Sequence, residues 1–266
     1  MLTASLIDIP FIEILIIIFS GLIFGSFAGA LVYRVPRNEP WAFKGTNDRC
    51  VRSTCPACGT TLKPIDLMPI VSWIIQKGRC RHCKAAISKI YPICEALTLA
   101  GFIGVYTIYG FTYFSLTIFL AVPFLVALFM IDFKYMILPN QLVAILAALG
   151  AILLGIRLYL ADDLAQTTIF FVGGTLLFAA VALLLHITMK KFLKRDALGM
   201  GDVKFFAVSG LWLGASLLGQ FCVLSGLCGV LIGVSWQKIT KKRAFPFGPA
   251  LVVAFYSLIL YQGSQM

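Results

Sequence analysis

Apolar runs of bilayer length recur along almost the whole of this 266-residue chain, and they constrain its fold more than any other feature. Eight can be drawn, at about 11–33, 92–109, 113–131, 141–160, 165–187, 205–218, 219–236 and 248–262. A helix needs about 20 apolar residues to cross the hydrocarbon core, and in lipid only helices and closed barrels satisfy every backbone polar group. With 60% of its residues hydrophobic and 12% charged, the chain lies outside the soluble globular range. The expected fold is an all-α polytopic membrane protein of about eight transmembrane helices. The sixth and eighth runs are short for a crossing, which little tilt, local thinning of the bilayer or re-entry would accommodate. The first run does not read as a signal peptide. Asp8 and Glu13 stand where a positive n-region would be, so it is expected to remain as a helix.

The charges orient these helices. The net charge is +11, and the basic residues cluster in three stretches, 34–89, 134–204 and 238–243, all of which fall on one side of an eight-crossing topology. Arg157 stands apart near the other face, with Asp162 and Asp163. The positive-inside rule makes the basic side cytosolic and places both termini outside. Basic charge so placed reports orientation and attraction to anionic lipid, and no nucleic-acid partner is expected. The expected organisation is a first transmembrane helix over 1–33, a cytosolic cysteine-rich domain over 34–91, and a seven-helix membrane domain over 92–266.

The 34–91 insertion is too small to build a firm core without a staple. Cys55-Pro56-Ala57-Cys58 and Cys80-Arg81-His82-Cys83 supply one. Two CxxC knuckles match tetrahedral zinc ligation by thiolates, and with all four positions filled no open site remains for a catalytic water. Structural Zn(II) on Cys55, Cys58, Cys80 and Cys83 is therefore expected, with Cys50 and His82 as possible substitutes. Disulfides are the alternative, opposed by a reducing cytosol. Cys94, Cys222 and Cys228 lie in apolar helices and read as core residues.

Two carboxylates stand at the ends of apolar runs: Asp132 closes the third, and Asp202, in Gly199-Met200-Gly201-Asp202, opens the sixth. The topology puts both at the cytosolic edge. Asp202 also reads as an ordinary helix N-cap. Asp132 faces the negative end of its helix dipole, which opposes it, and Lys134 is a possible ion-pair partner. Ionisable groups near membrane depth mark sites. Two carboxylates sharing a proton can activate water against a peptide carbonyl, because repulsion drives their pKa values apart. Gly199 and Gly201 would permit irregular backbone beside such a pair.

In these motifs the chain resembles the type IV prepilin peptidase family, the GxGD-type membrane aspartyl proteases. The resemblance runs in order through Gly25-Ser26-Phe27 with Arg34-Val35-Pro36, the paired knuckles, Pro69-Ile70-Val71-Ser72-Trp73, Gly78-Arg79-Cys80 and Tyr91-Pro92-Ile93-Cys94-Glu95. It continues through Ile131-Asp132 with Leu138-Pro139, Gly199 to Lys204, and Pro246-Phe247-Gly248-Pro249. It implies Asp132 and Asp202 as catalytic aspartates. It also implies cleavage of a short basic leader of prepilins or pseudopilins after a glycine at the cytosolic face of the bacterial inner membrane, and N-methylation of the new first residue with S-adenosylmethionine. Glu95 and Lys89 are candidates for methyl transfer through the resemblance only. One departure is visible: the family usually reads Leu-Pro-Asp where this chain has Leu138-Pro139-Asn140. Asn140 cannot share a proton, which favours Asp132 as the catalyst.

Two other readings compete. A carrier could couple cation or proton movement to the paired acids, but both lie at one surface rather than at the midplane. A serine protease would need Ser26 with His82 or His186, and close helix packing accounts better for Ser26.

Overall fold

The computed structural model describes residues 11–41, 53–193, 198–241 and 244–265. Cys50 lies outside them, as do the chain ends and the basic residues Lys44, Arg49, Arg52, Lys194, Arg195, Lys242 and Arg243. Among the described residues the chain forms nine α-helices and short 3₁₀ turns, with no strand. They are α1 (Phe11–Arg34), α2 (Val71–Ile75), α3 (Ile90–Tyr109), α4 (Tyr113–Tyr135), α5 (Asn140–Tyr159), α6 (Leu164–Leu193), α7 (Met200–Leu213), α8 (Leu218–Thr240) and α9 (Gly248–Ser264). Every apolar run expected to cross is helical. Six of these helices are long and apolar enough to span a bilayer. The chain divides into two compact units, Met1–Thr107 and Ile108–Met266.

In the first unit a glycine stripe sets the helix pairing. Gly21, Gly25 and Gly29 recur every fourth residue and so share one face of α1. A Cβ on each would meet, in turn, Leu99, Glu95 and Tyr91 of α3, so the two helices run antiparallel with their backbones close. At Gly25 the added carbon would lie 2.5 Å from the Glu95 Cα. Small residues permit such an approach in a membrane, where packing rather than the hydrophobic effect drives association. Gly25→Ala is expected to cost about 1–3 kcal/mol by overpacking, read as a lower midpoint of thermal unfolding in detergent. Gly155→Ala is the control, because no atom lies within 4 Å of its added carbon and alanine favours helix. An unchanged midpoint for Gly25→Ala would rule out the tight pairing.

The cysteine module shows a repeat that the sequence hides. In each knuckle the first cysteine's amide bonds five residues ahead (Cys55 to Thr60, Cys80 to Ala85) and its carbonyl accepts four ahead (from Gly59 and Lys84). Gly59 and Lys84 both take positive φ, 70° and 61°. Isolated antiparallel bridges, Thr54 to Thr61 and Arg79 to Ala86, close the two turns. Only the cysteines match in sequence, because backbone bonds make the rest. Between the knuckles, the almost fully buried side chain of Asp66 takes the Lys63 amide, the Gln76 amide group and the Arg81 guanidinium. It is therefore occupied within the module.

In the second unit α4 is the most buried of the spanning helices and packs against α5 and α9. Thr112 caps its first turn. It ends at Met136, whose φ of 56° turns the chain out and whose amide bonds back to the Asp132 carbonyl. α7 packs against α5, α6 and α9. Its tightest contact is with α6, where a Cβ on Gly210 would fall 2.4 Å from the Gly174 carbonyl oxygen.

The sixth run corrects the expected boundaries. It is helical over Met200–Leu213 rather than 205–218, about 21 Å at 1.5 Å per residue and short of a ~30 Å core. It stops at Gly214, where φ is 77° and the Phe170 ring occupies the place of a Cβ. Its last carbonyls are orphans, and Arg157 supplies a donor to the Trp212 carbonyl at 2.8 Å while stacking on Phe171. A cation at a helix C-terminus also suits the dipole.

Candidate active site and metal centre

Asp132 sits in the last turn of α4 with its side chain 5% exposed. Its Oδ2 accepts the backbone N–H of Gly248, the first residue of α9, at 2.8 Å. Lys134 is not the partner considered for it, since its amine lies over the Tyr135 ring at 5.1 Å. Gly248 had drawn notice only as part of Pro246-Phe247-Gly248-Pro249. Nothing but its glycine identity pointed to the role: a Cβ there would stand 2.7–2.9 Å from three atoms of the Asp132 side chain.

Asp202 is the third residue of α7, and Gly199 is the N-cap. The cap expectation is corrected: Asp202 is not the cap but reaches back from inside the first turn, its Oδ2 accepting the Gly199 amide at 2.9 Å. This is the acidic half of a capping box, and it suits the positive end of the dipole. Burial pushes the Asp202 carboxyl up to about 6, against the pull of the Gly199 hydrogen bond and with repulsion from Asp132 adding to the rise. That repulsion is the smallest of the three effects, and it reaches Asp202 from a helix 70 positions away in sequence (132 to 202).

The glycines act differently from expectation. Gly199 is extended, with φ −70° and ψ 152°, which other residues also adopt. Gly201 is helical, and the space a Cβ would need is filled by Leu138, 2.9 Å away. The requirement at Gly201 is thus close packing rather than irregular backbone. Beside it Lys204 Nζ donates to Asn140 Oδ1 at 2.8 Å. The turn Leu138-Pro139-Asn140 therefore buttresses the helix that carries Asp202, and Asn140 ties it without holding a proton.

In the first unit, the ligand atoms of Cys55, Cys58, Cys80 and Cys83 lie within 4.8 Å of one another. Cys55 Sγ and Cys83 Sγ are 3.9 Å apart. Tetrahedral Zn–S bonds of about 2.3 Å require S···S edges of about 3.8 Å, so the donor set can hold a metal ion. All four cysteines are free thiols. The Thr60 hydroxyl and amide draw Cys58 down to about 6, while, against the pull of the Ala85 amide, desolvation and the neighbouring thiols raise Cys83 to about 11. His82 is not among the gathered donors.

Glu95, on α3, is 5% exposed. Its Oε2 accepts the Ile70 amide at 2.7 Å, and Ser26 of α1 bonds the same carboxylate. Ile70 has φ 58° and ψ −51°, and the Val71 amide bonds the Pro69 carbonyl across it. This is the strained form of γ-turn, and a β-branched residue there is a genuine outlier. Strain of this kind is held by its surroundings and clusters at sites. Lys89 is exposed, one residue ahead of α3.

Comparison with known proteins places this geometry in a family. Residues 19–109 match the Bacterial Peptidase A24 N-terminal domain, and residues 119–234 match the Type IV leader peptidase family. A prepilin leader peptidase/N-methyltransferase of Pseudomonas aeruginosa is 32% identical, over 97% of this chain and 93% of its own. The chain belongs to the type IV leader peptidase family. A second leader peptidase/N-methyltransferase, from Bacillus subtilis, is 32% identical over 92% of both chains. An Escherichia coli enzyme described as processing the leader peptides of type 4 prepilin-like proteins is 31% identical over 91% of both. None of these three leader peptidases is named as a carrier. No solved structure matches the chain.

Proposed function

We propose that this chain is a membrane aspartyl endopeptidase that removes the basic leader from prepilins or pseudopilins after a glycine, and that it N-methylates the new N-terminus. The observation that carries the reading is the pair Asp132 and Asp202, each pinned through Oδ2 by a glycine amide, with repulsion from Asp132 acting on Asp202. Such a pair holds one proton between its members. The ionised carboxylate takes a proton from water as its oxygen attacks the peptide carbonyl, while the protonated one donates to the carbonyl oxygen. The resulting diol collapses as the newly protonated acid gives its proton to the leaving amine, the C–N bond breaks, and the other carboxylate takes back a proton from a diol hydroxyl, which restores the pair. The basic stretches support reading the site at the cytosolic face of the bacterial inner membrane, with residues 34–91 as a cytosolic insertion and anionic lipid against the basic loops.

Wild-type membranes given a prepilin-like substrate are expected to release the leader and yield a product heavier by one methyl group. Intact substrate would sink the peptidase reading; an unmethylated product would sink the second activity. S-adenosylmethionine would supply the methyl group for transfer to the new amine. Lys89 and Glu95 stand as the proposed residues of that activity, Glu95 by placing the strained Ile70 turn.

We assign zinc to the four-cysteine centre, on the thiolate donors and their spacing. Purified protein is expected to carry about one zinc per chain. Cys80→Ser or a strong chelator should remove it and expose residues 53–89 to protease, since the metal supplies folding energy to so small a module. Retention of the protease-resistant module in metal-free protein would count against that assignment.

A further inference from the structure

A single peptide unit links Asp202 to a side chain that the proposed mechanism does not use. The N–H of the Leu198–Gly199 peptide is the donor to Asp202 Oδ2. The carbonyl of that same unit, on Leu198, lies 2.7 Å from Nδ1 of His186 on α6. A carbonyl oxygen only accepts, so Nδ1 carries the proton. The peptide is planar and conjugated. A donor on its oxygen draws electron density from nitrogen and makes the N–H a stronger donor, as in other hydrogen-bond chains.

The helix register supports the link. Gly174 of α6 meets Gly210 of α7 at backbone contact. His186 lies twelve residues on from Gly174, and Leu198 twelve back from Gly210, as an antiparallel pair requires. At the turn the Gly199 carbonyl accepts the Asp202 and Val203 amides. Gly199 is exposed and extended, while Leu198 is buried and gives its carbonyl to the histidine.

We propose that His186 is a positioning residue for peptide cleavage: through the Leu198–Gly199 peptide it fixes the Asp202 carboxylate and strengthens the amide hydrogen bond that holds it. This rests on reading Asp202 as half of the catalytic pair. Among the described residues, the other ionisable groups near this turn come from α7 itself and from the elements around it. Asp132 comes from α4; Lys204, on α7 itself, is tied to Asn140 of α5. The last turn of α6 brings Lys190 and Lys191, and α9 brings only the tyrosines Tyr256 and Tyr261.

The test is the pH profile of leader cleavage, with kcat and KM separated, for His186→Asn and His186→Leu. Asparagine places an amide N–H near the position of Nδ1, whereas leucine fills similar space without a donor. H186L is expected to lower kcat about tenfold with KM within about twofold. It should also move the limb of the profile governed by Asp202 upward, because the anion has lost support. H186N should stay within about threefold of wild type, with its limb in place. H186L that keeps wild-type kcat and limb overturns the proposal, even if its unfolding midpoint falls. So does H186N that behaves as H186L does. Should H186L not accumulate, H186F is measured against the same two outcomes. Asp202→Asn, run alongside, separates the two ideas. Cleavage by D202N overturns the catalytic pair itself, whereas a silent D202N with a wild-type-like H186L overturns only the relay.

Discussion

Asp132→Asn and Asp202→Asn are each expected to reduce leader cleavage on the order of 10²–10⁴-fold, the scale of losing a positioned general acid or base. Asparagine keeps an oxygen able to accept the glycine amide, from Gly248 in one case and Gly199 in the other. Each carboxylate is thus removed as a proton carrier with its neighbourhood left in place, and the unfolding midpoint should barely move. The double substitution should be no worse than either single one, because the two acids act as a unit. The wild-type pH profile should be bell-shaped. At low pH both acids are protonated and no base remains; at high pH the shared proton is gone. Asp202 is pushed up to about 6, so activity is expected to fall as pH rises through a limb at or above that value. Cleavage by either asparagine variant within tenfold of wild type would remove the pair from the mechanism, and a basic limb well below about 6 would show that Asp202 does not hold the shared proton.

The parts of this site legible in the sequence are those carried by residue type. Apolar runs gave the helices because lipid demands continuous hydrophobicity. The two CxxC pairs gave the four-cysteine donor set because thiolates at that spacing suit one tetrahedral ion. Asp132 and Asp202 stood out because carboxylates are scarce among these helices. The parts that were hidden are carried by backbone groups. Gly248 and Gly199 hold the acids through main-chain amides, and an amide leaves no mark on residue identity. The start of α7 was hidden for the same reason: Gly199, Gly201, Asp202 and Lys204 are polar or small, yet the capping bond and the Leu138 contact carry the helix back to Met200. In the sequence His186 is visible only as half of a serine pair, since its partner is a carbonyl. The Ile70 turn shows the limit most clearly. No sequence rule places a β-branched residue at positive φ, and only the Glu95 carboxylate folded against its amide accounts for it.

Gly248→Ala is expected to disable cleavage nearly as completely as loss of the aspartate, although it removes no functional group. An added Cβ would lie 2.7 Å from Asp132 Oδ2, 2.8 Å from Cγ and 2.9 Å from Cβ, all closer than carbon contacts permit. Gly248 is buried at the head of α9, between Phe247 and Pro249, and α9 packs against α4, α7 and α8. The backbone is therefore poorly placed to retreat, and the Asp132 side chain is the part that can move. Rotating it away breaks the Gly248 amide bond and takes the carboxylate off its station. Misplacing a catalytic group by about 1 Å costs on the order of 10²-fold, and loss of the orienting bond adds to this, so a fall of about 10²–10³ in kcat is expected. Overpacking should cost only about 1–3 kcal/mol of stability, so folded protein remains to be assayed. The comparison with Gly155→Ala separates the site effect from the general effect of replacing a glycine, because that position has open space. If Gly248→Ala cleaves as wild type does, the amide of Gly248 does not set the position of Asp132, and the pair must be held by something other than the entrance to the last helix.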